Sequence, residues 1–91
     1  MQVDFNKIKE IYGEETLGLI VDNLDNVLNN LKYFESLGFT DSLDIFERSI
    51  FSFINDPSYF KNKLNKLILN LGVDYVNIIE NDISILEELE W

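Results

Sequence analysis

The chain contains no cysteine and no histidine. Without thiols there is no disulfide and no thiolate nucleophile. Without imidazole as well, the usual zinc sets, haem ligation and Ser-His-Asp catalysis are excluded, since all draw on histidine or cysteine. Cations are also scarce, 7 Lys and Arg against 17 Asp and Glu, for a formal net charge of -10. No apolar run approaches the ~18 to 20 residues that a membrane span needs. The opening residues Met1-Gln2-Val3-Asp4 have neither the positive nor the apolar region of a secretory signal. Amphipathic membrane helices carry Lys and Arg on their polar face, whereas the polar faces here are acidic or rich in Asn. These absences predict a soluble cytoplasmic protein that makes no membrane contact.

What is present suits one small folded domain over residues 1–91. With 46% hydrophobic and 13% aromatic residues, the chain has enough apolar surface to offset its conformational entropy. Eleven Asn residues, with abundant Ile and with Lys as six of the seven cations, match what AT-rich bacterial or phage genomes encode.

One proline, four glycines and scattered Asx residues divide the chain into helical segments. Asp4 caps a first helix that ends at Gly13, and Glu14 and Glu15 open a second. Asp22 is the expected cap of a third helix reaching about Ser36, with Leu24, Val27, Leu28, Leu31 and Phe34 as its buried face. Thr40 or Asp41 starts a fourth, predicted to run unbroken to about Ile54. Its residues Leu43, Phe46, Ile50, Phe51, Phe53 and Ile54 cover an arc of about 160°, which marks it as central. Asp56 followed by Pro57 opens a fifth helix, which stops at Gly72. It buries Phe60, Leu64, Leu67, Ile68 and Leu71. Two short helices, about 74–81 and 82–90, each with an Asp cap, complete the chain. Nothing reads as a strand. The fold class is all-α, a compact bundle of six or seven short helices.

Two segments repeat at a spacing of 33 to 34 residues. Leu37-Gly38-Phe39, Ile45-Phe46-Glu47, Ile50 and Phe53 match Leu71-Gly72-Val73, Ile78-Ile79-Glu80, Ile83 and Leu86. Each unit, about 23–55 and 56–90, is a long helix, a Leu-Gly stop with an apolar residue after it, then a shorter helix. The run from Asn30 to Phe39, then Asp56-Pro57 through Leu71-Gly72, resembles the helical repeat of mitochondrial transcription termination factors. That family stacks many such repeats into a solenoid with a basic groove for nucleic acid. The resemblance covers residues 23–90 and implies architecture alone. There is room for only two or three units, Ser49 and Asp82 stand near the family's usual proline, and the charge has the opposite sign.

Nucleic-acid binding needs clustered cations. Lys61, Lys63 and Lys66 point to about 100°, 300° and 240° on the helical wheel, flanking the apolar stripe like snorkelling side chains. Phosphate loops, calcium loops and carboxylate-histidine iron motifs are missing, so no catalysis, cofactor or metal is expected. Glu47 falls inside an apolar arc, either as a buried reactive carboxylate or as a rim residue paired with a lysine; the second is the plainer reading. Arg48 is placed to pair with Asp44 at i, i+4. Tyr33, beside Asn26, Asn29 and Asn30, is either an exposed contact residue or a packing surface for the first helices. From Asp74 onward there are six acidic residues and no basic one. Glu87, Glu88 and Glu90 crowd a last turn where the helix dipole disfavours them. That end is either a solvated, fraying terminus or an acidic platform with Ile85, Leu89 and Trp91 as apolar anchors.

The partner-binding candidates are therefore Asp82, Glu87, Glu88, Glu90, Trp91 and Tyr33. The expected function is a small acidic protein-binding module that occupies a basic surface of a partner, such as the site of a nucleic-acid-binding protein. Inhibitors that mimic nucleic acid, anti-defence proteins, immunity proteins and antitoxins work this way. Direct nucleic-acid binding by the helical repeats is the alternative, and self-association stays open.

Overall fold

Short-range capping by aspartate sets three of the helix starts. The Asp4 carboxylate accepts from the Lys7 amide at 3.1 Å and opens α1 (Phe5–Tyr12). Asp41 does the same for the Asp44 amide at the head of α4 (Ser42–Arg48). Asp56 accepts from the Ser58 amide, with Pro57 in the first turn of α5 (Pro57–Leu71). Three other expected caps do different work. Asp22 is the last residue of α2 (Glu14–Asp22), and Asn23 separates it from α3 (Leu24–Ser36) while donating its side-chain amide to the Leu19 carbonyl. Asp74 precedes α6 (Tyr75–Asn81) but accepts from the Asn77 side chain. Asp82 accepts from the Ser84 hydroxyl, just ahead of α7 (Ser84–Glu87).

The computed structural model describes residues 3–89 and 91. Among these residues there are seven α-helices, one 3-10 segment and no strand. The expected all-α bundle is what the chain forms. The unbroken fourth helix is not. α4 stops at Arg48, Ser49 leaves helical geometry at φ -129° and ψ 42°, and Ile50–Ile54 winds as the 3-10 segment. A 3-10 helix turns about 120° per residue, so residues three apart eclipse. Ile50 and Phe53 are accordingly both buried, whereas Phe51 is turned out and 54% exposed. Phe53 becomes the hub of the core, with ring centroids 5.4 Å from Phe34, 5.3 Å from Phe46 and 5.0 Å from Phe60.

The tight segment is held from α3 by asparagines. Asn30, fully buried, donates its side-chain amide to the carbonyls of Phe53 at 2.9 Å and Asn55 at 2.8 Å. Asn26 donates to the carbonyl between them, that of Ile54, at 3.4 Å. Three successive carbonyls at the end of a 3-10 turn, which lack helical partners, are thus satisfied. The polar face expected around Asn26 and Asn30 is in fact an internal seam. The buried side of α3 is Val27, Asn30, Leu31 and Phe34, and Leu28 stands about half exposed.

The repeat is visible in three dimensions. α4 and α6 have seven residues each, and each ends at one non-helical residue, Ser49 or Asp82. Phe46 and Ile79 are equivalently buried, as are Phe53 and Leu86. Glu47 pairs with the Lys7 ammonium at 2.6 Å. Glu80 accepts from the amide and hydroxyl of Thr40 at 3.0 Å. Both carboxylates therefore reach back by the same 40 residues. Gly38 and Gly72 close the long helices at φ 101° and 84°, a region that glycine enters without strain. After the glycines the units differ. Phe39 is buried between Phe34, stacked at 4.1 Å, and Tyr75 of the following unit, whose hydroxyl donates to the Leu37 carbonyl. No later helix among the described residues covers Val73, which is fully exposed.

α1 packs against α2, and α2 against α3. The radius of gyration, 12.7 Å, is close to the ~12 Å expected of one packed domain of this length. Among the described residues, no helix is long and apolar enough to cross a membrane.

Replacing Asn30 by Ala should cost about 2 kcal/mol, because the buried Phe53 carbonyl and the partly buried Asn55 carbonyl lose their donor. Asn30→Asp should cost more, since it sets a carboxylate against those carbonyls. Urea midpoints of the two variants test this, and an Asn30→Asp protein as stable as the parent would refute the donor role. The buried Ser49 hydroxyl has no hydrogen-bond partner. Ser49→Ala should therefore leave stability unchanged or raise it by about 1 kcal/mol, read from the same midpoints.

Candidate functional site

The C-terminal segment is fastened to α5. The Trp91 ring stacks on Phe60 with centroids 5.2 Å apart, and its indole N–H donates to the Leu86 carbonyl at 2.7 Å. The Tyr59 hydroxyl donates to the Trp91 carbonyl at 3.1 Å. Ile85 and Leu89 pack against the core. The expected apolar anchors are thus partly buried against the protein's own core, and each keeps some exposed surface. The cation missing from the last turn comes from another helix, as Lys63 of α5 donates to the Leu89 carbonyl at 3.2 Å. Asp82, Glu87 and Glu88 remain exposed, while Glu90 lies outside the described residues.

Tyr33 faces α5, not the N-terminal helices. Its ring meets Phe60 edge-on at 6.4 Å, its hydroxyl donates to the Asn65 side-chain oxygen at 2.7 Å, and the Lys61 ammonium lies 5.3 Å over the ring. Lys63 likewise covers Tyr59, at 5.5 Å. Two of the three α5 lysines are therefore committed to tyrosine rings, as the snorkelling reading expects.

A groove of about 330 Å³ brings together residues distant in sequence. Tyr12 from α1, Phe51 from the 3-10 segment and Trp91 supply aromatic surface, and Arg48 and Glu87 also line it. The Tyr12 hydroxyl donates to the Glu47 carbonyl, and its ring meets Phe51 edge-on at 6.3 Å. Glu47 is the rim residue the plainer reading expects, its side chain 15% exposed and paired with Lys7. The Arg48 Nε lies 3.4 Å from the Asp44 carboxylate, as expected. Sequence reading did not single out Tyr12 or Phe51, because no spacing rule links α1 to a segment whose turn geometry changes from within.

Three proton affinities are raised. Burial, and then the carboxylates of Glu87 and Glu47, hold the Tyr12 phenol above its ordinary value. Burial and then Tyr75 do so for Tyr33, partly offset by the hydrogen bond to Asn65. The hydrogen bond and charge of Glu47 raise Lys7. No group of three or more potential metal ligands gathers among the described residues. Comparison with protein-family models finds no match, and neither curated proteins nor solved structures yield one.

All three shifts have the same sign, so the folded state holds these protons more tightly than the unfolded chain. The stability they add is complete below about pH 10 and is lost as the pH climbs through the raised values. Urea midpoints at about pH 8 and about pH 11 should show this fall, and Tyr33→Phe should make it shallower. A slope unchanged by the substitution would remove Tyr33 from the account.

Proposed function

We propose that the protein is a non-catalytic acidic binding module that covers a basic surface of a partner protein in the cytoplasm. One observation carries this reading. Of the sixteen acidic residues among those described, three, Glu14, Asp44 and Glu47, form ion pairs. The other thirteen have no cationic side chain within 4.0 Å. A surface with so little internal neutralisation projects a negative field that draws and orients a positive partner. The site of a nucleic-acid-binding protein presents such a surface, so an inhibitor, immunity protein or antitoxin that stands in for phosphate charge is the type of function supported. The competing reading is a helical-repeat nucleic-acid binder similar to the termination-factor repeats. The 33-residue structural period favours it, and the commitment of Lys61 and Lys63 to tyrosine rings counts against it.

Capture from a lysate of the source organism, at low and at ~0.5 M salt and with and without nuclease, separates the two. A basic protein should be retained at low salt, released at high salt and unaffected by nuclease. Changing Glu87, Glu88 and Glu90 together to Gln should weaken that retention about tenfold. Recovery of nucleic acid, lost when Lys61, Lys63 and Lys66 are neutralised, would instead establish the repeat binder.

A further inference from the structure

We propose that the groove between Tyr12, Phe51 and Trp91 receives a lysine or arginine side chain of the partner, with Glu87 as its counter-ion. The inference rests on the reading of the protein as a module for basic surfaces and names where one anchor of that surface enters.

The chemistry of the lining carries it. Aromatic faces are negative at their centres and attract a cation, while their apolar area suits the methylene stem of a long basic side chain. Two of the three rings are already fixed. Tyr12 is held by its bond to the Glu47 carbonyl, and Trp91 by its stack on Phe60 and its bond to the Leu86 carbonyl. Phe51 projects from the segment that Asn26 and Asn30 hold in place, and more than half of its surface is open. A guest would therefore meet walls that are already ordered, which lowers the entropic cost of binding.

Charge selects the guest. Glu87 is the carboxylate among the described lining residues, and Glu47 and Asp44 belong to α4, which leads into the groove. Glu47 is matched by Lys7, and Arg48, which also lines the groove, has Asp44 as its counter-ion at 3.4 Å. Glu87 lines the groove with no cationic side chain within 4.0 Å, and its field is felt at the Tyr12 phenol. An anionic guest would face this carboxylate, and a neutral apolar one would leave it unmatched.

Trp91 is the only tryptophan, so its fluorescence reports on the groove directly. The full chain is titrated with N-acetyl-arginine amide and N-acetyl-lysine amide, against N-acetyl-norleucine amide as an uncharged stem of similar length. The cationic probes should give a saturable change that the neutral probe does not. Glu87→Gln and Phe51→Ala alter exposed side chains and should each weaken the response about fivefold, with helical circular dichroism retained. An equal response to the neutral probe, no saturation, or indifference to both substitutions would overturn the assignment. If a basic partner is captured in a salt-dependent way while the titration is silent, the groove assignment alone fails. A saturable titration without such a partner sinks the module reading and leaves the groove as a cation site.

Discussion

The amide of Asn30 holds the molecule's least regular segment in place, and much of the core is arranged around that hold. α3 lends two of its side chains to a neighbouring 3-10 turn whose terminal carbonyls have no helical partners. With those carbonyls satisfied, the turn can stay tight and keep Ile50 and Phe53 on the same side. Phe53 then touches rings from α3, α4 and α5, joining the two repeat units into one core. An α-helical continuation from Arg48 would have rotated this hub out of register. The outward turn of Phe51, and with it one wall of the groove, is the other side of the same geometry.

Charge is divided by task. Cations are few, and five of the seven contact another part of the molecule. Lys7 meets the carboxylate of Glu47, Lys9 meets Glu14, Lys63 meets the Leu89 carbonyl, Arg48 meets Asp44, and Lys61 covers Tyr33. Carboxylates mostly point outward with nothing to balance them. An acidic surface kept only for solubility could mix the two signs without loss, whereas here thirteen of the sixteen described carboxylates have no cationic side chain within 4.0 Å. That asymmetry makes a single sign of partner the natural reading.

What was legible in the chain follows from how far each interaction reaches. Asp4, Asp41 and Asp56 cap through atoms two or three residues away, so their local pattern identified them. The apolar stripe of α5 and its stop at Gly72 were legible for the same reason. Asn30 was not, because its carbonyl partners lie 23 and 25 residues further on, and an asparagine beside other asparagines reads as solvent-facing. The break at Ser49 was hidden too, since the residues around it carry a helical pattern that is overridden only in the packed state. At the candidate site, the acidic residues 82, 87 and 88 were found by composition. The stacking of Trp91 was not, as it depends on the place of Phe60, 31 residues earlier in the chain.

The backward reach of Glu47 and Glu80 has a consequence for how such a chain changes length. Each unit is tied to what precedes it by a carboxylate spanning the same interval, and Tyr75 adds a second tie to the Leu37 carbonyl. A duplication that inserts one whole period preserves these distances and gives Val73 the neighbour that Phe39 already has. An insertion of any other size inside a unit strands a carboxylate opposite the wrong residue. Growth of this architecture is therefore quantised, and tolerance to indels should be sought at the joints between units.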